Sequence, residues 1–377
     1  MIGTRPEAIK LAPVVLELSR TEDFEPVVVL TGQHREMVDQ VLGLFGIRAH
    51  HDLDILQAGQ TLTDVTVRAL VGLEPVLKAD RPDALIVQGD TTTAFAGALA
   101  AFYQGIPVAH VEAGLRTGDP RSPFPEEINR RLTAPLTAVH LAPTASSAAN
   151  LLREGVEPET VFVTGNTVID ALLWTVERRV DYGVPALAGL DQDPRKVLLV
   201  TAHRRESWGE PMRAIGAALG DLARNDPDLL VVFPIHRNPL VREAILPAVE
   251  GLDNVVIVEP LAYGAFARLM ARADVILTDS GGVQEEGPTL GKPVLVMRDN
   301  TERPEAVEAG TARLIGTDHR VIVESVRRLL DDRVAYAEMA NAVNPYGDGH
   351  ASRRIAQALR SFFGEGERPD VFVAGGH

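Results

Sequence analysis

A chain of 377 residues is long enough for two domains, and 45% hydrophobic residues with no long uninterrupted apolar run describe a globular protein without a membrane-spanning segment. Its 37 basic and 52 acidic residues give a formal charge of −15, which argues against non-specific binding to nucleic acid or an anionic membrane, so phosphate affinity must come from local cationic sites. With no cysteine there are no disulfides, thiolate catalysis or cysteine-ligated zinc, and with no signal peptide at the start the expected location is the cytoplasm.

In chain order, Gly3-Thr4-Arg5-Pro6-Glu7-Ala8-Ile9-Lys10 reads as a turn into a helix, with Thr4 as cap, Pro6 and Glu7 in the first turn, and Arg5 and Lys10 as nearby positive charge. Only Met1 and Ile2 precede Gly3, so the first strand reads as shortened against the usual length of about five residues. Residues 27–30, 84–87 and 107–111 are short apolar runs typical of strands, alternating with helical periodicity at 34–46, 61–79 and from about 92. A second series of apolar runs follows at 197–200, 230–233, 255–258, 275–277 and 294–296. This βαβ order predicts two doubly wound parallel α/β domains with ligands beyond the carboxyl ends of the strands, in a cleft between the domains. Val180 to Arg195, rich in Asp, Gly and Pro, reads as the linker region; Ala351 to Phe363 reads as a helix and the residues from Gly364 onward as a frayed tail.

The polar motifs lie where strands end. Thr278-Asp279-Ser280-Gly281-Gly282 follows an apolar run and opens a helix, the pattern of a phosphate cradle; Glu285 and Glu286, one turn on, can take sugar hydroxyls. Asp90 follows one strand in QGDTTT, Glu112 the next in HVEAGLR, and Glu126 stands in PFPEEINRR. If those strands are neighbours, Asp90 and Glu112 emerge side by side, and like charges push one pKa up, as suits acid and base in turn. Asp90 also fits a helix cap, Glu112 a partner for Arg116, and Glu126 a first-turn helix residue. His203, beside Arg204 and Arg205, suits a phosphate or leaving group. His203 and His236 alone do not make a zinc site, no dense acidic loop is present, and no glycine segment has the dinucleotide spacing, so neither metal nor nicotinamide cofactor is expected.

These segments, with TGQHREM at 31–37, TGNTVIDALLW at 164–174, TERPEA at 301–306 and NPYGDG at 344–349, resemble the non-hydrolysing UDP-N-acetylglucosamine 2-epimerases over almost the whole chain. The resemblance implies a GT-B-like pair of Rossmann-type domains, 1–168 with 352–377 and 169–351, the C-terminal helix crossing back to the first. It implies a cytoplasmic homodimer that serves cell-surface polysaccharide synthesis and interconverts UDP-N-acetylglucosamine and UDP-N-acetylmannosamine without cofactor. Matching positions make Asp90, Glu112 and Glu126 the acid/base set. Arg5, Lys10 and His203 then handle the diphosphate, Ser280, Gly281 and Gly282 form the phosphate turn, Glu286 contacts ribose, Arg303 is a substrate-side cation and Phe266 lies near uracil. One branch of the family binds a second UDP-N-acetylglucosamine as activator, and Gln33, Arg204 and His236 match parts of that site, although Glu36 and Gly59 stand where that branch commonly has Gln and Arg. A hydrolysing epimerase, a GT-B glycosyltransferase and a non-enzymatic nucleotide-sugar sensor are the alternatives.

Overall fold

The computed structural model describes residues 1–32, 35–57 and 59–375. The chain divides into two compact units, Met1–Ala171 with Tyr346–His377, and Leu172–Pro345.

In the first unit β1 (Val29–Leu30) pairs with β2 (His51–Asp52), and β3 (Leu85–Gln88), β4 (Val108–Val111), β5 (Val139–Ala142) and β6 (Val161–Val163) form a parallel sheet in that order. Met1 and Ile2 join the two groups. The Ile2 N–H donates to Val29 O at 2.9 Å, the Thr31 N–H donates to Ile2 O at 3.0 Å, and the terminal ammonium donates to Ile86 O at 2.9 Å. The order is therefore β2, β1, the Met1–Ile2 segment, then β3 to β6, and the order reverses at the point where Gly3 and Gly89 leave the sheet.

The second unit has β7 (Lys196–Thr201), β8 (Leu229–Pro234), β9 (Val255–Val258), β10 (Val275–Thr278), β11 (Val294–Val296) and β12 (Ala312–Leu314) in the order β12-β11-β10-β7-β8-β9, all parallel. Residues 197–200, 229–233, 275–277 and 294–297 are buried without alternation because helices cover both faces of the sheet. Its reversal lies between β7 and β10, which places the residues after Thr201 and Thr278 side by side: Thr201 and Thr278 are register partners.

Several expectations need correction. The strands β5, β6 and β12 carry no turn signal strong enough to mark them in the sequence, and the run at 27–30 is strand only over Val29–Leu30. Val180 to Arg195 is not a free linker. Tyr182, Leu187 and Leu190 are buried, and two arginines of the helix Tyr263–Arg272 pin the segment to the second unit. Arg268 donates to Val180 O at 2.8 Å and to Asp191 at 2.7 Å; Arg272 donates to the carbonyls of Leu190, Asp193 and Arg195 at 3.1, 2.7 and 2.9 Å. The tail after Gly364 is docked rather than frayed. Arg368 donates to the carbonyls of Pro158, Glu159 and Val161, and the Phe372 N–H donates to Val163 O at 2.9 Å, covering the open edge of β6. Among the described residues no helix is long and apolar enough to cross a membrane.

Candidate active site

In the first unit, the helix Arg5–Ser19 starts at the strand-order reversal, but its N-terminus is closed by its own chain. The buried Glu7 carboxylate accepts from the N–H groups of Gly3 at 3.0 Å and Thr4 at 2.5 Å, and from Thr91 Oγ1 at 2.8 Å. These amides are therefore not open to a ligand phosphate. Burial pushes the Glu7 carboxyl up, against the hydrogen bonds that favour its charge. Arg5 is exposed. Lys10 does not stand loose as a mobile cation: its Nζ lies 2.6 and 2.7 Å from the two oxygens of Glu112.

Glu112 leaves β4 at φ +65 and is also reached by the amides of Gln88 and, at 3.4 Å, Asn166. Arg116 is not its partner; that guanidinium forms a two-point pair with Glu154 at 2.8 and 2.7 Å. Asp90 is not a cap either, since Thr91 caps the helix Thr92–Tyr103. Asp90 accepts from Arg130 at 2.6–2.8 Å, and Asn129 donates to its carbonyl at 2.9 Å. The two strands are neighbours as expected, with Gln88 opposite Val111. Each acid nevertheless has its own cation, so the expected like-charge pair is instead two separate ion pairs. Beneath them the buried His110 ring donates through Nε2 to Gly89 O at 2.6 Å, and burial holds it neutral by lowering its pKa.

The helix Glu126–Thr133 divides its two glutamates. Glu127 is fully buried and accepts from the N–H groups of Thr117 and Gly118 and from Arg130 and Arg131. Glu126 is half-buried and takes part in no ion pair among the described residues. Asn129 and Arg130, three and four residues on, share its helical face, and both reach Asp90, so Glu126 is carried on the side of the helix that faces the acid loop.

In the second unit the helix Gly281–Thr289 has Ser280 as N-cap residue with no side-chain cap bond. Neither glycine has positive φ, and a Cβ added at Gly281 would find its nearest neighbour, an Arg204 nitrogen, at an ordinary 3.6 Å. The fold itself does not require glycine here, whereas close approach of an anion to the backbone does. Asp279 is fully buried; its Oδ2 accepts from the N–H groups of His203 at 2.6 Å and Arg204 at 2.7 Å, and its Oδ1 lies 2.7 Å from His203 Nδ1. Arg204, read as an activator-site residue, thus stands at the Gly281 turn with its buried Nε unpartnered.

Glu285 is not available to sugar hydroxyls, because it is buried and pairs with Arg303. Glu286, also buried, lies beside Tyr263, whose hydroxyl is held well above its usual pKa by burial and by that carboxylate. Phe266 is half-buried on the same helix as Tyr263. His236 is exposed, its ring centroid 6.1 Å from that of His203. Gln33 lies outside the described residues; Glu36 and Gly59 are exposed. Sequence reasoning missed Glu7, Gln88, Glu127, Asn166 and Asp279 as organising groups. Each sits inside a quoted motif, but only the three-dimensional partner reveals its task. Among the described residues no three His, Asp or Glu side chains converge in a metal-holding group.

The family model for UDP-N-acetylglucosamine 2-epimerase matches residues 16–360. The chain belongs to the UDP-N-acetylglucosamine 2-epimerase family. It is 54% identical to the UDP-N-acetylglucosamine 2-epimerase of Escherichia coli K12, with 96% of this chain and 97% of the relative covered. Identity to the epimerase of Yersinia pestis is 53%, over 96% and 97% of the two chains. Among solved structures, an epimerase of this family from Listeria monocytogenes superposes with a TM-score of 0.93 at 47% identity, covering 99% and 98%. The Neisseria meningitidis enzyme, solved with UDP-GlcNAc bound, superposes at 0.83 with 48% identity, covering 95% and 98%. The fold is accordingly the GT-B-like class of this enzyme family, with two Rossmann-type α/β units.

Proposed function

We propose that this chain epimerises UDP-N-acetylglucosamine at C2, giving UDP-N-acetylmannosamine, by elimination and re-addition of UDP. The C2 proton of a 2-acetamido sugar is too weakly acidic for a carboxylate to remove unaided. Departure of UDP from C1 builds positive character that acidifies C2. The C2–H electrons then form the C1–C2 double bond of 2-acetamidoglucal, the C1–O electrons leave with UDP, and the proton goes to a carboxylate. Re-addition returns UDP to C1 and a proton to the opposite face of C2. Opposite-face delivery needs two positioned groups, and Asp90, Glu112 and Glu126 are the set from which they come.

The observation that carries this reading is the state of those three acids: Asp90 and Glu112 are held as ion-paired carboxylates, and Glu126, on the facing helix side, has no ion-pair partner among the described residues. Arg5, Lys10 and Arg303 supply cationic charge, while His203, Ser280, Gly281 and Gly282 take the departing diphosphate. Glu286 contacts ribose and Phe266 lies along uracil. The reaction uses no metal and no nicotinamide, runs in the cytoplasm in a homodimer, and belongs to cell-surface polysaccharide synthesis. Arg204 serves the phosphate turn, which leaves Gln33 and His236 as the positions for a second nucleotide sugar. Proton NMR of the reaction in deuterated water tests the proposal: UDP-N-acetylmannosamine with deuterium at C2 and no free sugar is expected. Free N-acetylmannosamine plus UDP would make it a hydrolase, and no turnover would make it a binding protein.

A further inference from the structure

We propose that Asp279 is a positioning residue that holds His203 in its Nδ1–H form and as an imidazolium, so that the Nε2–H is presented to a diphosphate oxygen of the substrate. The inference rests on the epimerase reading for its substrate but on the second unit alone for its geometry. Asp279 leaves β10 and His203 leaves β7, the two strands that flank the reversal of strand order, and so the pairing is fixed by the sheet register. The Asp279 side chain is fully buried, and among the described residues no lysine or arginine side chain pairs with it. One oxygen is held by two backbone N–H groups at 2.6 and 2.7 Å, which fixes the carboxylate plane, and the other is buried with no in-line hydrogen-bond donor and lies 2.7 Å from the ring nitrogen as an ion-pair contact.

A carboxylate only accepts, and a bare ring nitrogen at 2.7 Å would set lone pair against lone pair, so the ring atom nearest it carries the proton. A buried carboxylate without a cation is costly, and the imidazole is the group placed to offset it. Burial pushes the Asp279 carboxyl up, but His203 and the two backbone N–H groups outweigh it and hold it below its usual range. The outer edge of the ring stays open, with the side chain 39% exposed, and the Gly281 helix begins two residues after Asp279.

The charged neighbours of the ring must be weighed as well. Arg204 and Arg205 follow it in the chain, the His236 ring stands 6.1 Å away on the loop after β8, and Glu206 pairs with Arg298 from the loop after β11 at 2.8 Å. Among these cations and the second imidazole, Asp279 is the carboxylate that faces the ring. A bland alternative exists, in which Asp279 only braces the turn at 202–204.

The Asp279→Asn variant of the full chain distinguishes the two. Its amide keeps an acceptor for the backbone but cannot hold an imidazolium, so the alkaline limb of kcat/KM should move down by about one pH unit and UDP binding at pH 8 should weaken by about tenfold. At pH 6 the UDP affinity should stay within about twofold of the parent. A lower melting temperature with unmoved limbs and pH-independent loss of affinity would mean a brace and would overturn the proposal. Should that variant not fold, histidine-labelled nitrogen NMR of the parent chain decides, with the His203 signals assigned by their loss in His203→Gln. An Nδ1-protonated ring that titrates above His236 supports the proposal; an Nε2–H tautomer, or titration together with His236, overturns it. Neither the NMR nor the UDP titration needs turnover, so they stand even if the epimerase reading falls.

Discussion

The two helices that follow the strand-order reversals look alike in sequence and differ in chemistry. Gly3-Thr4-Arg5-Pro6-Glu7 and Asp279-Ser280-Gly281-Gly282 both offer a turn, a capping residue and a helix N-terminus. The first is closed from within, its amides taken by Glu7 and its lysine by Glu112. The second has glycines that the fold does not require and has Arg204 beside it with an unpartnered nitrogen. The carboxylate is what separates them: Glu7 stands three residues after its cap residue and can fold back, whereas the residue three after Ser280 is Val283, which has no acceptor, and Gln284 donates to Ser280 O. A helix start becomes an anion site only if the chain leaves it unfinished. In this protein Lys10 and Arg130 of the first unit fix carboxylates, whereas Arg204 of the second lies beside Gly281 with a buried nitrogen that has no partner.

The largest expected effect tests the fixed carboxylates. Asp90→Asn and Glu112→Gln should each lower turnover by about 100- to 10,000-fold, the usual worth of general acid–base catalysis, with UDP affinity nearly unchanged. Steady-state rates beside UDP calorimetry check this, and a parallel loss of affinity would erase the division between the units.

Next comes the pair of glycines. In Gly3→Ala the new methyl group meets Thr93 Oγ1 and comes within 3.0 Å of Thr31 Oγ1. Overpacking of this kind costs about 1–3 kcal/mol, read as a lower denaturation midpoint. Gly281→Ala meets nothing closer than 3.6 Å, so it should melt like the parent and weaken UDP binding by about tenfold. Equal melting points and equal affinities for the two variants would remove the contrast on which the comparison is built.

A smaller effect concerns the scaffold of the acid loop. His140 lies opposite His110 across β5 and β4, and burial, with His110 and Arg116 nearby, lowers its pKa from 6.5 to about 4. A base depressed in the folded state contributes stability above pH 6.5 that is lost as pH falls toward 4. The loss should be about 2 kcal/mol by pH 5, and His140→Leu should flatten that part of the stability curve. An unchanged slope in the variant would assign the acid sensitivity elsewhere.

How much of this was legible in the sequence follows from the range of each interaction. Uninterrupted apolar runs such as Val197–Val200 and Val275–Leu277 marked the parallel strands, because strands buried on both faces need no alternation. Thr4, Pro6 and Glu7 marked the start of the first helix, a signal contained within four residues. The partners of the acids were not legible: Lys10 reaches Glu112 across 102 positions and Arg130 reaches Asp90 across 40. The same holds for the segment Val180 to Arg195, whose composition suggests a linker while Arg268 and Arg272, more than 70 positions later, pin it down. Of the neighbouring glutamates 126 and 127, spacing alone could not say which one turns inward; the loop amides of Thr117 and Gly118 decide it.

The central claim is that proton work belongs to the first unit and anion binding to the second, and Glu126→Gln tests it most directly. Deuterium entering C2 of the nucleotide sugar should fall by at least about 100-fold, while the variant binds UDP as tightly as the parent and melts at the same temperature. Near-normal deuterium incorporation in Glu126→Gln, or a loss that follows weakened UDP binding, would contradict the account.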